Sequence, residues 1–252
     1  MYGVPSSVLK YNVTRFVAAS SQHITVGDVA ELTFDLADEF SASVWFRSLG
    51  TTPAQQKFFS KEDLDPNRGY YVNHDSHLTG TISWGIGGVA SRVFTRTTLA
   101  GLNDGLWHHW AGTYTGNSLA SGVQHYVDGV AVSHTVLQDN AATTLLVTTP
   151  FSIGSRKDGT DLFNDGDMQD VAIFDRVINA GEVTALHNRS CPPDVLDLGF
   201  GANLVGYWIL GEHKGDTGGV SAGITSGTTV PDLSASGNDG TMINGPTVVT
   251  RL

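Results

Sequence analysis

Apolar and polar residues alternate over much of this chain. In residues 40–47, FSASVWFR, every second side chain (Phe40, Ala42, Val44, Phe46) is apolar, while Ser41, Ser43, Trp45 and Arg47 fall on the opposite side. A period of two is the signature of a strand with one face buried. The same reading predicts strands at 13–18, 22–26, 57–60, 69–74, 80–86, 91–96, 106–115, 122–128, 130–136, 151–155 and 168–174, and a last group at 204–210 and 241–243.

Turn signals separate these segments. Asp128-Gly129 in QHYVDGVAV is the strongest, because a type I′ hairpin needs positive φ at both central residues. Asp104-Gly105, Asp239-Gly240 and Asn244-Gly245 act similarly. One helix is predicted, near 179–189, with Asn179 as N-cap and Glu182 three residues on completing a capping box. Val183 and Leu186 give it a small apolar stripe, and Cys191-Pro192-Pro193 ends the segment. Residues 212–230, rich in Gly, Ser and Thr, read as a long loop. Many short strands with such punctuation predict an all-β, two-sheet antiparallel sandwich.

Composition sharpens this picture. Of 25 acidic residues only five are Glu, and 30 residues are Gly, a balance that favours turns over helices. Fourteen basic residues leave a net charge of −11. That excludes the clustered Lys and Arg that nucleic acid requires, and gives no attraction to anionic membranes. The single cysteine, Cys191, rules out an internal disulfide and a Cys-based zinc site. The opening residues, MYGVPSSVLKYNVTRF, lack a basic region followed by an apolar run, so no secretory signal is expected. No stretch approaches the ~20 apolar residues of a membrane span.

Residues 105–116, GLWHHWAGTYTG, place two histidines side by side. On a strand His108 and His109 point to opposite faces and cannot share one ion. Both are expected to be sheet residues, with Trp107 beside His109 and Leu106, His108 and Trp110 on the other face. LWHHWAGTYTG followed by HYVDGVAV resembles the paired strands of concanavalin A-like, LamG-type (laminin G/pentraxin-like) jelly rolls. RFVAASSQHITVGD is similar to their early edge strand and FSASVWFRS to the aromatic strand that follows. FSIGSRKDGTDLFNDGDMQDVAIFDRVINAGEVTALHN resembles their ending.

The resemblance covers roughly residues 13–190 and implies a jelly-roll domain over residues 1–200. LVGYWILGE (204–212) and PDLSASGNDGTMINGPT (231–247) resemble the opening segments of such modules, yet here they close the chain. Residues 201–252 are therefore expected to complete the sandwich, as in a circular permutation, or to be exchanged with a neighbouring copy. Tyr207 and Trp208 are too apolar to remain in solvent.

Candidate chemistry is sparse. Glycoside hydrolases on this fold need paired carboxylates, and no Glu-x-Asp-x-x-Glu spacing occurs. The expectation is a protein without enzymatic activity. Asp167 and Asp170 would face opposite ways on a regular strand. The loop DGTDLFNDGD (158–167) gathers oxygen donors, and Asp158, Asp161, Asp165 and Asp167 are candidate Ca²⁺ ligands. The pentraxin-like resemblance implies calcium at this loop, although Arg156 stands where another acid would be expected. Tyr70, Tyr71, His74 and Trp84 are candidates for a carbohydrate-binding platform, although aromatics at alternating positions are more often core, and in GYYVNH one of the two adjacent tyrosines must face away from the other.

Two classes of function follow. The first is a virion surface protein of a bacteriophage, decorating a capsid or associated with a tail. The resemblance implies an extracellular role, and lysis would release a protein that lacks a signal peptide. Its partners would be capsid or tail proteins and copies of itself, with cell-surface glycans as a further ligand. The alternative is a calcium-dependent lectin or adhesin. Jelly rolls host many roles, so fold alone does not choose.

Overall fold

In the computed structural model the strand Glu39–Ser48 buries Phe40, Ala42, Val44 and Phe46 in the interior. Its alternate residue Trp45 lies on the other face, against His109 and His187. The structure describes residues 11–50, 55–63, 68–75, 79–88, 90–142, 144–157, 159–187, 195–200, 203–211 and 226–251. Asp158, Cys191, Glu212 and most of the 212–230 loop lie outside these residues.

Among the described residues seventeen strands form two antiparallel sheets. The strands are β1 (Tyr11–Phe16), β2 (His23–Val26), β3 (Glu39–Ser48), β4 (Gln56–Glu62), β5 (Gly69–Asp75) and β6 (Thr81–Gly88). There follow β7 (Ser91–Thr97), β8 (Trp107–Thr115), β9 (Val123–Val127), β10 (Val130–Val132), β11 (His134–Asp139) and β12 (Phe151–Ile153). The last are β13 (Gly166–Phe174), β14 (Leu204–Trp208), β15 (Thr229–Val230), β16 (Gly240–Ile243) and β17 (Thr247–Arg251). One sheet has eight strands in the order β10-β9-β8-β3-β13-β1-β17, with β14 also on β13. The other has nine, β11-β7-β6-β5-β4-β12-β2-β16-β15. The molecule is a two-sheet jelly-roll sandwich with one α-helix, α1 (Ala180–His187).

The local signals operate as physical chemistry requires. Asp128 and Gly129 take φ of 49° and 78°, the doubly positive turn between β9 and β10. Asn179 Oδ1 accepts the backbone N–H groups of Gly181 and Glu182, and Glu182 Oε2 accepts the Asn179 N–H at 2.7 Å, closing a capping box on α1. Val183 and Leu186 seat α1 in a second apolar cluster with Ala172, Phe174 and Tyr207, on the outer side of the eight-stranded sheet.

Three features depart from the regular pattern. The run 130–136 breaks at Ser133: β10 joins one sheet and β11 the other. A bulge in β4 between Lys57 and Phe59 lets the adjacent Phe58 and Phe59 both enter the core. A bulge in β13 between Gln169 and Ala172, with Asp170 at φ 54°, puts Asp170 on the same outer side as Asp167, contrary to the regular-strand expectation. There Asp170 Oδ1 accepts the Tyr207 hydroxyl at 2.9 Å.

The chain's last segments pair within the chain. β14 lies against β13, β16 against β2 and β17 against β1. Trp208, Leu210, Val230 and Met242 are buried in the same core as Ile24 and Phe151, and the Trp208 and Phe151 rings stack at 5.5 Å. Among the described residues no helix is long and apolar enough to cross a membrane.

Candidate functional site

The pairing of Tyr71 on β5 with Gly85 on β6 shapes a polar cleft. A Cβ at Gly85 would collide with the Tyr71 ring, so the ring occupies space that only glycine leaves. Lys57 Nζ stands 3.4 Å from the ring centroid, a cation–π contact withdrawn from water. The Tyr71 hydroxyl accepts a 2.6 Å hydrogen bond from Arg92 Nη1, and Arg92 stacks on Phe94 at 4.1 Å. Lys57 also pairs with Glu62 Oε1 at 2.8 Å. Together with Gln55, Asn73, Gly87, Arg156 and Leu162 these residues line a cleft of about 140 Å³ on the outer face of the nine-stranded sheet.

Burial sets the charge states here. It lowers the Lys57 ammonium to about 8, a fall that the neighbouring Glu62 carboxylate limits. Burial likewise raises the Tyr71 phenol to about 12. Among the described residues three buried polar atoms of the cleft lack a hydrogen-bond partner, one of them Glu62 Oε1, which keeps its ion pair with Lys57. Asn73, 5% exposed, has its buried side-chain oxygen without a partner. Buried Arg156 Nε makes no hydrogen bond, with Glu62 Oε1 at 3.7 Å. Unsatisfied buried polar atoms are uncommon in folded proteins and mark places where a ligand's hydrogen bonds would be gained. The arrangement can bind a small polar group through donors and charges. It offers no aromatic platform, because the Tyr71 ring is only 7% exposed.

The other three residues expected beside Tyr71 lie elsewhere. β5 alternates, so Tyr70, Val72 and His74 face inward while Tyr71 and Asn73 face out. Tyr70 donates its hydroxyl to Leu32 O at 2.8 Å within an aromatic cluster with Phe34 and Phe40. Trp84 meets Phe40 and Trp110 edge-on in the core. His74 stacks on Phe58, and burial lowers its imidazole to about 4. The structure therefore does not assemble Tyr70, Tyr71, His74 and Trp84 into one surface. Lys57, Asn73, Arg92 and Arg156, which were not foreseen, surround Tyr71 instead. Arg156 had one visible signal: it stood out as a cation where an acid was expected.

The acidic candidates do not converge either. Asp167 is buried and held by Arg15 Nε at 2.7 Å and by Arg47, on the eight-stranded sheet. Asp161 faces Arg156 across 3.6 Å. Asp165 receives the Ala18 N–H at 3.4 Å beside Gly50. Among the described residues no three His, Cys, Asp or Glu side chains come together. Asp158 lies outside the described residues.

The adjacent histidines diverge as their strand requires. His109 is buried against Trp45 and His187, and burial lowers it to about 3. His108 bonds Asp128 at 2.9 Å and Asp104 at 3.2 Å, and the Asp128 hydrogen bond raises its pKa.

Comparison with known proteins follows the same fold. The chain is similar to a Bacteroides ovatus protein provisionally assigned as carbohydrate-binding, at 16% identity and a TM-score of 0.64, over 96% of this chain and 60% of that one. This chain thus spans about three fifths of that protein's length. It is also similar to the heptameric SAP-like pentraxin of Limulus polyphemus, at 11% identity and a TM-score of 0.53, over 71% of this chain and 82% of that one. A search of curated protein sequences finds no match. A sequence profile for the concanavalin A-like lectin/glucanases superfamily matches residues 18–184. With two thirds of its length matched and the two-sheet fold in place, the chain belongs to the concanavalin A-like lectin/glucanases superfamily.

Proposed function

We propose that the protein is a non-enzymatic carbohydrate-binding domain that takes a saccharide in the Tyr71 cleft. The observation that carries this is a pocket whose buried Asn73 oxygen and Arg156 Nε lack partners beside Lys57, Glu62 and Arg92. A hydroxylated ligand supplies donors and acceptors to such groups at once. At about 140 Å³ the cleft is smaller than the ~300–1,000 Å³ typical of drug-sized pockets, which suits one terminal sugar rather than a chain. The Bacteroides ovatus relative makes saccharides the first ligands to test.

Hydrolysis is not part of this reading. A glycosidase needs two carboxylates astride the scissile bond. Among the described residues lining the cleft, Glu62 is the one carboxylate, and it is tied to Lys57. A virion role with capsid or tail partners gains no support from the described residues, whose terminal strands pair within their own chain.

The test is a glycan array probed with the whole chain, with and without EDTA. Binding that survives EDTA and is lost in Tyr71→Ala supports the proposal. No binding to any saccharide would remove it, and binding abolished by EDTA would move the site to a metal-dependent one.

A further inference from the structure

We propose that the Tyr71 cleft selects a sugar bearing a carboxylate over its neutral counterpart. This rests on the saccharide-binding reading above and names the ligand's charge. Among the described residues the cleft gathers Lys57, Arg92 and Arg156 around a single lining carboxylate, Glu62. It does so in a chain whose net charge is −11, so the local sign opposes the global one. Lys57 pairs with Glu62 at 2.8 Å, and Arg156 has the same Glu62 oxygen at 3.7 Å and half-exposed Asp161 at 3.6 Å. Arg92 has no carboxylate partner among the described residues: its guanidinium donates to Gln138 Oε1 at 2.9 Å and to Tyr71 Oη at 2.6 Å, both neutral.

A cleft with more cations than anions, low exposure and an unused guanidinium N–H is under-neutralised. Charge-assisted hydrogen bonds from guanidinium to carboxylate are about twice as strong as neutral ones. An entering carboxylate would satisfy Arg156 Nε and Arg92 together, while sugar hydroxyls would meet the buried Asn73 side chain. A neutral sugar would serve Asn73 but leave the cations as they are.

The experiment is calorimetric titration of the whole chain with N-acetylneuraminic, glucuronic and galacturonic acids and with the methyl ester of each. Esterification removes the charge and keeps the ring. At least one acid is expected to bind tenfold or more tightly than its ester, and Arg156→Gln is expected to abolish that difference while far-ultraviolet circular dichroism stays native. An ester binding as well as its acid would overturn the charge preference and leave the saccharide-binding reading standing. Neutral sugars binding where every acid fails would do the same. Silence toward all saccharides would remove both.

Discussion

The indole N–H of Trp110 donates to Nδ1 of His125 across 3.2 Å. An indole nitrogen is only a donor, so Nδ1 must be the acceptor and Nε2 must carry the proton. That proton reaches Thr95 Oγ1 at 2.8 Å. Trp110 and His125 belong to the eight-stranded sheet and Thr95 to the nine-stranded one, so a neutral imidazole ties the two layers together through the core. Burial, with His134 nearby, lowers His125 to about 3.

Acid should therefore loosen the sandwich. His125 and His109 are lowered to about 3 and His74 to about 4. Between those values and about 6.5 the unfolded chain binds more protons than the folded one, so stability falls as pH falls through that window. Each contributes about 2 kcal/mol between pH 7 and pH 5, roughly 4–6 kcal/mol together. His108 works the other way, because its raised pKa favours the folded state at low pH and that contribution is lost as pH rises. Urea melts at pH 7, 6 and 5 measure the sum. His125→Gln should be less stable at pH 7 yet lose less on acidification; an unchanged acid slope would show that His125 is not held neutral.

Gly85→Ala probes the cleft without touching a charge. The added methyl would collide with the Tyr71 ring and displace it from Lys57 and Arg92. Overpacking of this kind costs about 1–3 kcal/mol. Saccharide affinity should drop at least tenfold in calorimetry, at a temperature where the variant remains folded. Native affinity would separate Tyr71 from the site.

Binding of an acidic sugar should weaken as pH rises through about 8, where Lys57 loses its proton. Glu62, Arg156 and Asp161 face Lys57 electrostatically, and the Tyr71 ring covers it. Stability should move oppositely: between about 8 and 10.5 the unfolded chain holds more protons, so the fold gains on Lys57 as pH rises. Titrations at pH 7, 8 and 9 separate the two effects, and a flat affinity would place Lys57 outside the recognition step.

We expect the tail to be integral to the domain rather than appended. Trp208 is fully buried and stacked on Phe151, and its Nε1–H donates to Asn238 O at 3.1 Å. Trp208→Ala should cost about 3–5 kcal/mol. Truncation after Pro193 should abolish the cooperative melt in differential scanning calorimetry, whereas a shortened chain melting as the whole one does would refute this placement.

Strands were legible wherever one face is apolar and the other polar. β3 follows from FSASVWFR because its register repeats every two residues. The split at Ser133 was not legible, since β10 and β11 read as one run and only the closure of the two sheets divides them. β17 and the two-residue β15 were missed because short edge strands carry little periodicity. The alternation also showed that Tyr70 and Tyr71 must part, but not which one faces outward. The cleft itself was hidden because Lys57, Asn73, Arg92 and Arg156 come from separate segments and meet only through strand pairing and the loop before β13.

The most direct measurement is ¹⁵N-amide shift mapping of the whole chain during titration with N-acetylneuraminic, glucuronic or galacturonic acid. Saturable changes centred on Lys57, Tyr71, Asn73, Arg92 and Arg156 are expected. Saturable changes centred instead on the face bearing α1, or none with any of the three acids, would contradict that expectation.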